Sequence, residues 1–211
     1  MLVVSEEKSQ NNDPSQQVRL NNVTARVPES IRRGVFSTGA IVMSGPNELL
    51  IDFIQRMGRP HHVAARVVLP LAAMPQVIDA IERNLNEHEL KFGKVKELPK
   101  PDQGTPRPNI QEVYDNLKLP DEMLSGTYAN AVLIGFTGAE FSFDFVTHFF
   151  PHAAVCNRVF LAASHVVQLL DSLKSNLKQV QQRIAKQQPT LLAPPPAEQP
   201  KTSPDADEPL V

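Results

Sequence analysis

The sequence predicts an α+β protein made of two tandem β-β-β-α repeats, with antiparallel sheets packed against two long helices as a pseudo-dimer. Three observations predict it. Residues 34–85 align without a gap on residues 126–177, and twelve of 52 positions are identical, where average composition gives about three by chance. Each copy carries three short apolar runs that read as strands. Each copy ends in a long segment whose apolar residues recur at helical spacing.

The elements follow in order. Residues 1–25 are polar and read as a disordered segment. Repeat 1 spans 26–96 and repeat 2 spans 122–188. The first run is Phe36 to Met43, matched by Tyr128 to Ile134. A Gly-bearing break follows in each copy, then a second run, Glu48 to Ile54 or Glu140 to Val146. In that run Phe141, Phe143 and Phe145 share one face, and Ser142, Asp144 and Val146 share the other. The third run is Val63 to Leu69 or Val155 to Leu161. The last segment is a helix. Its apolar residues are Met74, Ile78, Ile81 and Leu85 in repeat 1, with Pro75 tolerated in the first turn. In repeat 2 it starts at Ser164, an N-cap residue type, and runs to Gln187. A heptad seam of Val166, Leu170, Leu173, Leu177, Val180 and Ile184 lines it. Residues 97–121 hold five prolines and read as a linker with one short helix around Ile110 to Leu117. Residues 189–211 hold seven prolines and read as a disordered, acidic, extended tail.

Composition excludes several classes. The chain has 211 residues, 21 basic and 23 acidic, with a net charge of −2. That balance excludes a strongly basic nucleic-acid coat. One cysteine excludes a disulfide framework and a cysteine-rich zinc site. No apolar run reaches the roughly 18 residues that cross a bilayer, and the first residues lack the order of a signal peptide. The expectation is a cytoplasmic protein without a membrane partner.

The candidate chemistry is sparse. Asp52 and Arg66 recur as Asp144 and Arg158. If the second and third runs pair around Arg59, residue i faces residue 118 minus i, and Asp52 faces Arg66. The same construction around Pro151 sets Asp144 opposite Arg158. A cross-strand ion pair fixes register, so these four read as structural ion pairs. His61, His62, His88, His148, His152 and His165 show no metal-ligand spacing. Cys156 reads as small apolar packing. No phosphate loop, nucleophile elbow or zincin motif is present. Arg32, Arg33, Arg56 and Arg59, with Phe36 and Tyr128 on strands, sketch a nucleic-acid contact surface.

Certain residues resemble a known family. They are Tyr128-Ala129-Asn130, then Glu140 to Phe145, then Arg158-Val159-Phe160-Leu161 before a Leu-rich helix, with the lead-in Tyr114 to Pro120. Repeat 1 repeats the pattern at Glu48 to Phe53, Arg66 to Leu69 and Asn84 to Phe92-Gly93. It departs at Phe36-Ser37-Thr38, where no Asn follows. Together they resemble the bacterial family called domain of unknown function 3467. The resemblance implies a fold and brings no activity with it.

The functional expectation rests on apolar surplus. Ala40 to Met43 and Ala131 to Ile134 are apolar on both faces, and one helix covers one face. The seam Leu170, Leu173, Leu177, Val180 and Ile184 extends beyond a small sheet. Both features point to a non-enzymatic interaction or assembly module, a homo-oligomer or a protein partner, with no cofactor, catalytic residue or metal. The alternative is a nucleic-acid-associated protein, and the third reading is an uncharacterised enzyme.

Overall fold

A computed structural model describes residues 16–20, 23–99, 109–149 and 152–187. Its strands are β1 (Gln16–Leu20), β2 (Val23–Val27), β3 (Val35–Ser37), β4 (Ala40–Ser44), β5 (Glu48–Gln55) and β6 (His61–Pro70). Helix α1 (Met74–Phe92) follows, then α2 (Ile110–Asp115) and β7 (Leu117–Lys118). The chain closes with β8 (Thr127–Tyr128), β9 (Ala131–Phe136), β10 (Glu140–Phe149), β11 (His152–Ala162) and α3 (Ala163–Gln187).

Each repeat supplies an antiparallel meander, β4-β5-β6 or β9-β10-β11. Asp52 pairs with Arg66 and Asp144 with Arg158. The register then slips by one at equivalent bulges, Phe53/Ile54 and Phe145/Val146. The flanking strands differ from expectation. β2 and β3, from repeat 1, run parallel to β11 of repeat 2. β7, from the linker that leads into repeat 2, and β8, from repeat 2, run parallel to β6 of repeat 1. The sheets are therefore mixed, and the two repeats exchange their entry strands. The exchange is symmetric: Val159 faces Val35 as Val67 faces Thr127, at the repeat offset of 92.

The exchange needs a crossing. The run Phe36 to Met43, expected as one strand, is two: β3 belongs to one sheet and β4 to the other. Ser37 turns the corner, its buried hydroxyl lying within hydrogen-bond distance of the carbonyls of Gly39 (2.7 Å) and Ile54 (3.0 Å), which share its one proton. In repeat 2 the corner is Ala129-Asn130, where Asn130 Oδ1 accepts from the His148 N–H at 2.8 Å. Thr38 does the same work in repeat 1, its Oγ1 accepting from the Arg56 N–H at 2.9 Å. A hydroxyl thus replaces the missing Asn at the point where the family pattern breaks.

The N-terminal segment is also corrected. Residues 16–20 and 23–25, expected to be disordered, lie in β1 and β2, because the sheet that receives them is more than a hundred residues away in the chain. Residues 1–15 lie outside the described residues, as does the tail 189–211. Of the linker 97–121, Ile110–Asp115 form α2 and Leu117–Lys118 form β7, and a 3-10 turn over Asp121–Met123 closes it and opens repeat 2.

One core serves both repeats. Leu49, Ile51 and Phe53 point inward from β5, and Phe141, Phe143 and Phe145 from β10. Phe53 meets Phe145 and Phe143 across the sheets, with ring centroids 5.6 and 6.5 Å apart. Burying each such ring contributes roughly 1.5–3 kcal/mol. Met74, Ile78, Ile81 and Leu85 of α1 close the core beside Val166, Leu170 and Leu173 of α3. The helices pack against each other and exchange sides too. α3 leans on β4, where Asn176 donates to the Val42 carbonyl and Arg183 to Ser44 Oγ at 2.8 Å. α1 leans on β9 and the turn beyond it, where His88 meets the Gly138 carbonyl. The α+β pseudo-dimer is thus a strand-swapped one.

Candidate functional site

The duplicated acid and base form the densest polar feature. Asp52 sits on β5 with its side chain away from the aromatic core, yet fully buried. Arg66 meets it as a fork, Nε to Oδ1 and Nη2 to Oδ2, both at 2.7 Å. Arg158 grips Asp144 the same way at 2.6 and 2.7 Å. Paired guanidinium and carboxylate of this geometry are the strong kind. The carboxylates hold both guanidinium groups in the charged form, raising their pKa values.

The third nitrogen of each fork reaches across the exchange. Arg66 Nη1 donates to the Leu124 carbonyl at 3.1 Å, and Arg158 Nη1 to the Arg32 carbonyl at 3.3 Å. Those carbonyls belong to equivalent turns, which start at Pro28 and Pro120 and end at Gly34 and Gly126. Both glycines have positive φ, 61° and 68°. A Cβ on Gly34 would lie 2.7 Å from Arg158 Cγ, and one on Gly126 2.9 Å from Arg66 Cγ. Each arginine therefore clamps the entry strand of the other repeat. In each pair both carboxylate oxygens meet the fork, and the remaining guanidinium nitrogen is taken by a backbone carbonyl.

Tyr114 breaks the symmetry. Its hydroxyl donates to Asp52 and its ring lies 6.0 Å from the Arg66 guanidinium. Burial, with the Asp52 charge, pushes its pKa well above the usual phenol value. The matching position in repeat 1 is Asn22, outside the described residues. Tyr114 places α2 across the outer face of the β4–β7 sheet. A cleft of about 470 Å³ opens there, lined by Ile54, Arg56, His61, Glu112, Val113 and Leu117. A second, of about 580 Å³, adjoins it at Arg59, Pro60, His61, Asp115 and Lys118.

The remaining expected residues scatter. Arg32 and Arg33 lie in the turn before β3, where Arg32 pairs with Glu29 at 3.5 Å. Arg56 and Arg59 lie in the β5–β6 connection. All four are exposed, two in each place. The assembly seam is largely used inside the chain: Leu170, Leu173 and Val180 are buried and Leu177 packs on the core. Only Ile184 stays outside, 52% exposed, because the seam ends against α1 and β4 of the same chain. Cys156 is half-buried, its thiol donating to the Tyr128 carbonyl at 3.1 Å. Among the described residues no three His, Cys, Asp or Glu side chains converge on one point.

Of the surface aromatics, sequence reasoning named Phe36 and Tyr128 and missed Phe149. Phe36 and Tyr128 hold the same position in the two repeats and are 40% and 44% exposed. Phe149, 57% exposed, lies parallel to Tyr128 with centroids 6.1 Å apart. The signal for the first two was the paired aromatic itself. Phe149 carries none, since it lies past the part of the hairpin that the repeats share.

Comparison with known proteins decides the kinship. A family model described as a protein of unknown function, DUF3467, matches residues 5–97 and again residues 99–186. The chain belongs to this family. The two adjacent matches are the tandem duplication, and the second takes in α2 and β7. In family terms, then, each unit begins with the strands it lends to its neighbour. A search of curated proteins finds no match. No helix among the described residues is long and apolar enough to cross a membrane.

Proposed function

We propose that this protein is a non-enzymatic interaction module of the cytoplasm, which assembles with copies of itself or with a protein partner. One observation carries the reading. Phe36 and Tyr128 are aromatic in both repeats although the core needs neither, and each stands on an exposed strand surface. Exposed aromatics on a rigid sheet are the usual anchors of protein contacts. The pseudo-dimer presents two of them on equivalent strands.

The test is light-scattering mass on purified protein, with absorbance at 260 and 280 nm. A mass at a multiple of 23.4 kDa, falling to one chain in the Phe36→Ser/Tyr128→Ser variant, supports assembly through these rings. An unchanged mass in that variant removes the rings from the interface. A single-chain mass with a clean spectrum overturns self-assembly.

Nucleic acid is the second reading, favoured by Arg32 and Arg33 lying next to Phe36 in the chain. With no Trp and two Tyr, bound nucleic acid would dominate the spectrum. A 260/280 ratio that falls on adding salt would put that reading first.

A further inference from the structure

We propose that the outer edge of β7, unpaired among the described residues, is a docking site for an extended acidic peptide, which adds to the sheet as a further strand. The inference rests on the protein-binding reading above and names one partner class for it.

The pseudo-symmetry supplies the first argument. β2 and β7 hold equivalent positions, each parallel to the long third strand of the other repeat. On the far side of β2 lies β1, paired antiparallel over five residues from Gln16/Val27 to Leu20/Val23. At the repeat offset, the residues matching β1 are 108–112. Of these, residues 110–112 are the first turn of α2 instead, a helix started by a capping box of Asn109 and Glu112. β7 is therefore the terminal strand of its sheet among the described residues. It is two residues long where β2 is five, the difference being the ladder that β1 provides. An extended strand beside this element is thus a geometry the fold already accepts once. A further strand on an open edge gains main-chain hydrogen bonds, and alternate side chains confer selectivity.

Charge supplies the second argument. The clefts beside β7 carry Arg56, Arg59 and Lys118 over the apolar residues Ile54, Val113 and Leu117. Two carboxylates lie nearby, and both serve α2 internally. Glu112 Oε2 accepts from the Asn109 N–H at 3.2 Å, and Asp115 Oδ1 from Gln111 at 3.0 Å. Among the described residues no carboxylate bonds Arg59 or Lys118. A strand alternating acidic and apolar residues would set carboxylates against these cations and apolar side chains toward Leu117. A basic or neutral strand would leave the cations facing nothing.

The probe is a fluorescein-labelled peptide alternating Glu and Val, read by anisotropy against the full chain. A second peptide of equal charge carries Pro at alternate positions and cannot pair. The expected result is saturable binding of the first peptide, with at least tenfold weaker binding of the second. The Arg59→Glu/Lys118→Glu variant, altered only at exposed positions, should also lose at least tenfold. Amide exchange of residues 117–119 should slow when the first peptide is present. Equal binding of the two peptides would overturn strand addition, and full affinity in the variant would overturn the acidic class. No binding overturns both while leaving the mass measurement above to judge assembly. Protection of residues 117–119 by self-association alone would make a second copy the occupant and overturn the acidic peptide.

Discussion

Glu82 of α1 and Lys174 of α3 hold the same position in the two repeats and form an ion pair across the helix contact. A position that meets its own equivalent lies on the pseudo-twofold axis. In a dimer of identical chains it would face a copy of itself, and a charge there would face a like charge. Duplication within one chain lets the two copies diverge to opposite signs.

That geometry predicts a charge-reversal cycle. Both side chains are partly exposed, so Glu82→Lys should cost about 0.5–1 kcal/mol by setting two ammonium groups together. Adding Lys174→Glu should return most of it. Urea unfolding midpoints of wild type, both single variants and the double variant measure the coupling. Additive single effects would show that the two helices do not meet there.

The buried forks should matter far more. Arg66→Ala strands the Asp52 carboxylate in the interior and should cost about 3–5 kcal/mol. Arg158→Ala should behave alike, with Asp144 left buried. Chemical denaturation checks both. If Arg158→Ala leaves stability unchanged and abolishes partner binding, the pair is a ligand site and its structural role falls.

The crossing glycines give a third test. Gly34→Ala combines positive φ with a Cβ that meets Arg158. Backbone strain of this sort costs about 1–3 kcal/mol, and the displaced arginine adds to it. Gly126→Ala should match it from the other repeat. Gly58→Ala, with open space around its Cβ, is the control and should stay within about 0.5 kcal/mol. Thermal midpoints of the three variants separate these outcomes.

Much of the fold was legible in the sequence because it is local. The Asp52–Arg66 and Asp144–Arg158 pairings follow from hairpins whose turns are short. The helices follow from spacing, and the duplication from a gapless alignment. The exchange of β2, β3, β7 and β8 was not legible. Parallel pairing with a distant strand leaves no periodic trace, and Phe36 to Met43 reads as one strand because the bend at Ser37 depends on a carbonyl of Ile54. The burial of Asp52 escaped for a related reason. Tyr114, which covers it, lies 62 residues on. The seam Leu170 to Ile184 is apolar as read, but all of it except Ile184 is covered within the same chain, which spacing alone does not reveal.

Acid should weaken the fold through His165. Burial, then the Arg56 charge, holds its imidazole below the ordinary value. Above about pH 6.5 both folded and unfolded forms are neutral there. Below it the unfolded chain takes up a proton that the folded one refuses. Stability should therefore fall as pH drops from about 6.5 toward the lowered folded value. His165→Gln should flatten that slope and leave the neutral-pH stability within about 1 kcal/mol. Denaturation midpoints between about pH 7 and 5 test it.

Strand exchange also sets a timetable for synthesis. β6 is complete once Pro70 has been added, but the strands that flank it end at Tyr128. At about 5–20 residues per second that interval lasts roughly 3–12 s. β2 and β3, made first, wait longer still for β11. The first half of the nascent chain thus leaves the ribosome with its sheet unfinished, and the second half finishes it as it emerges.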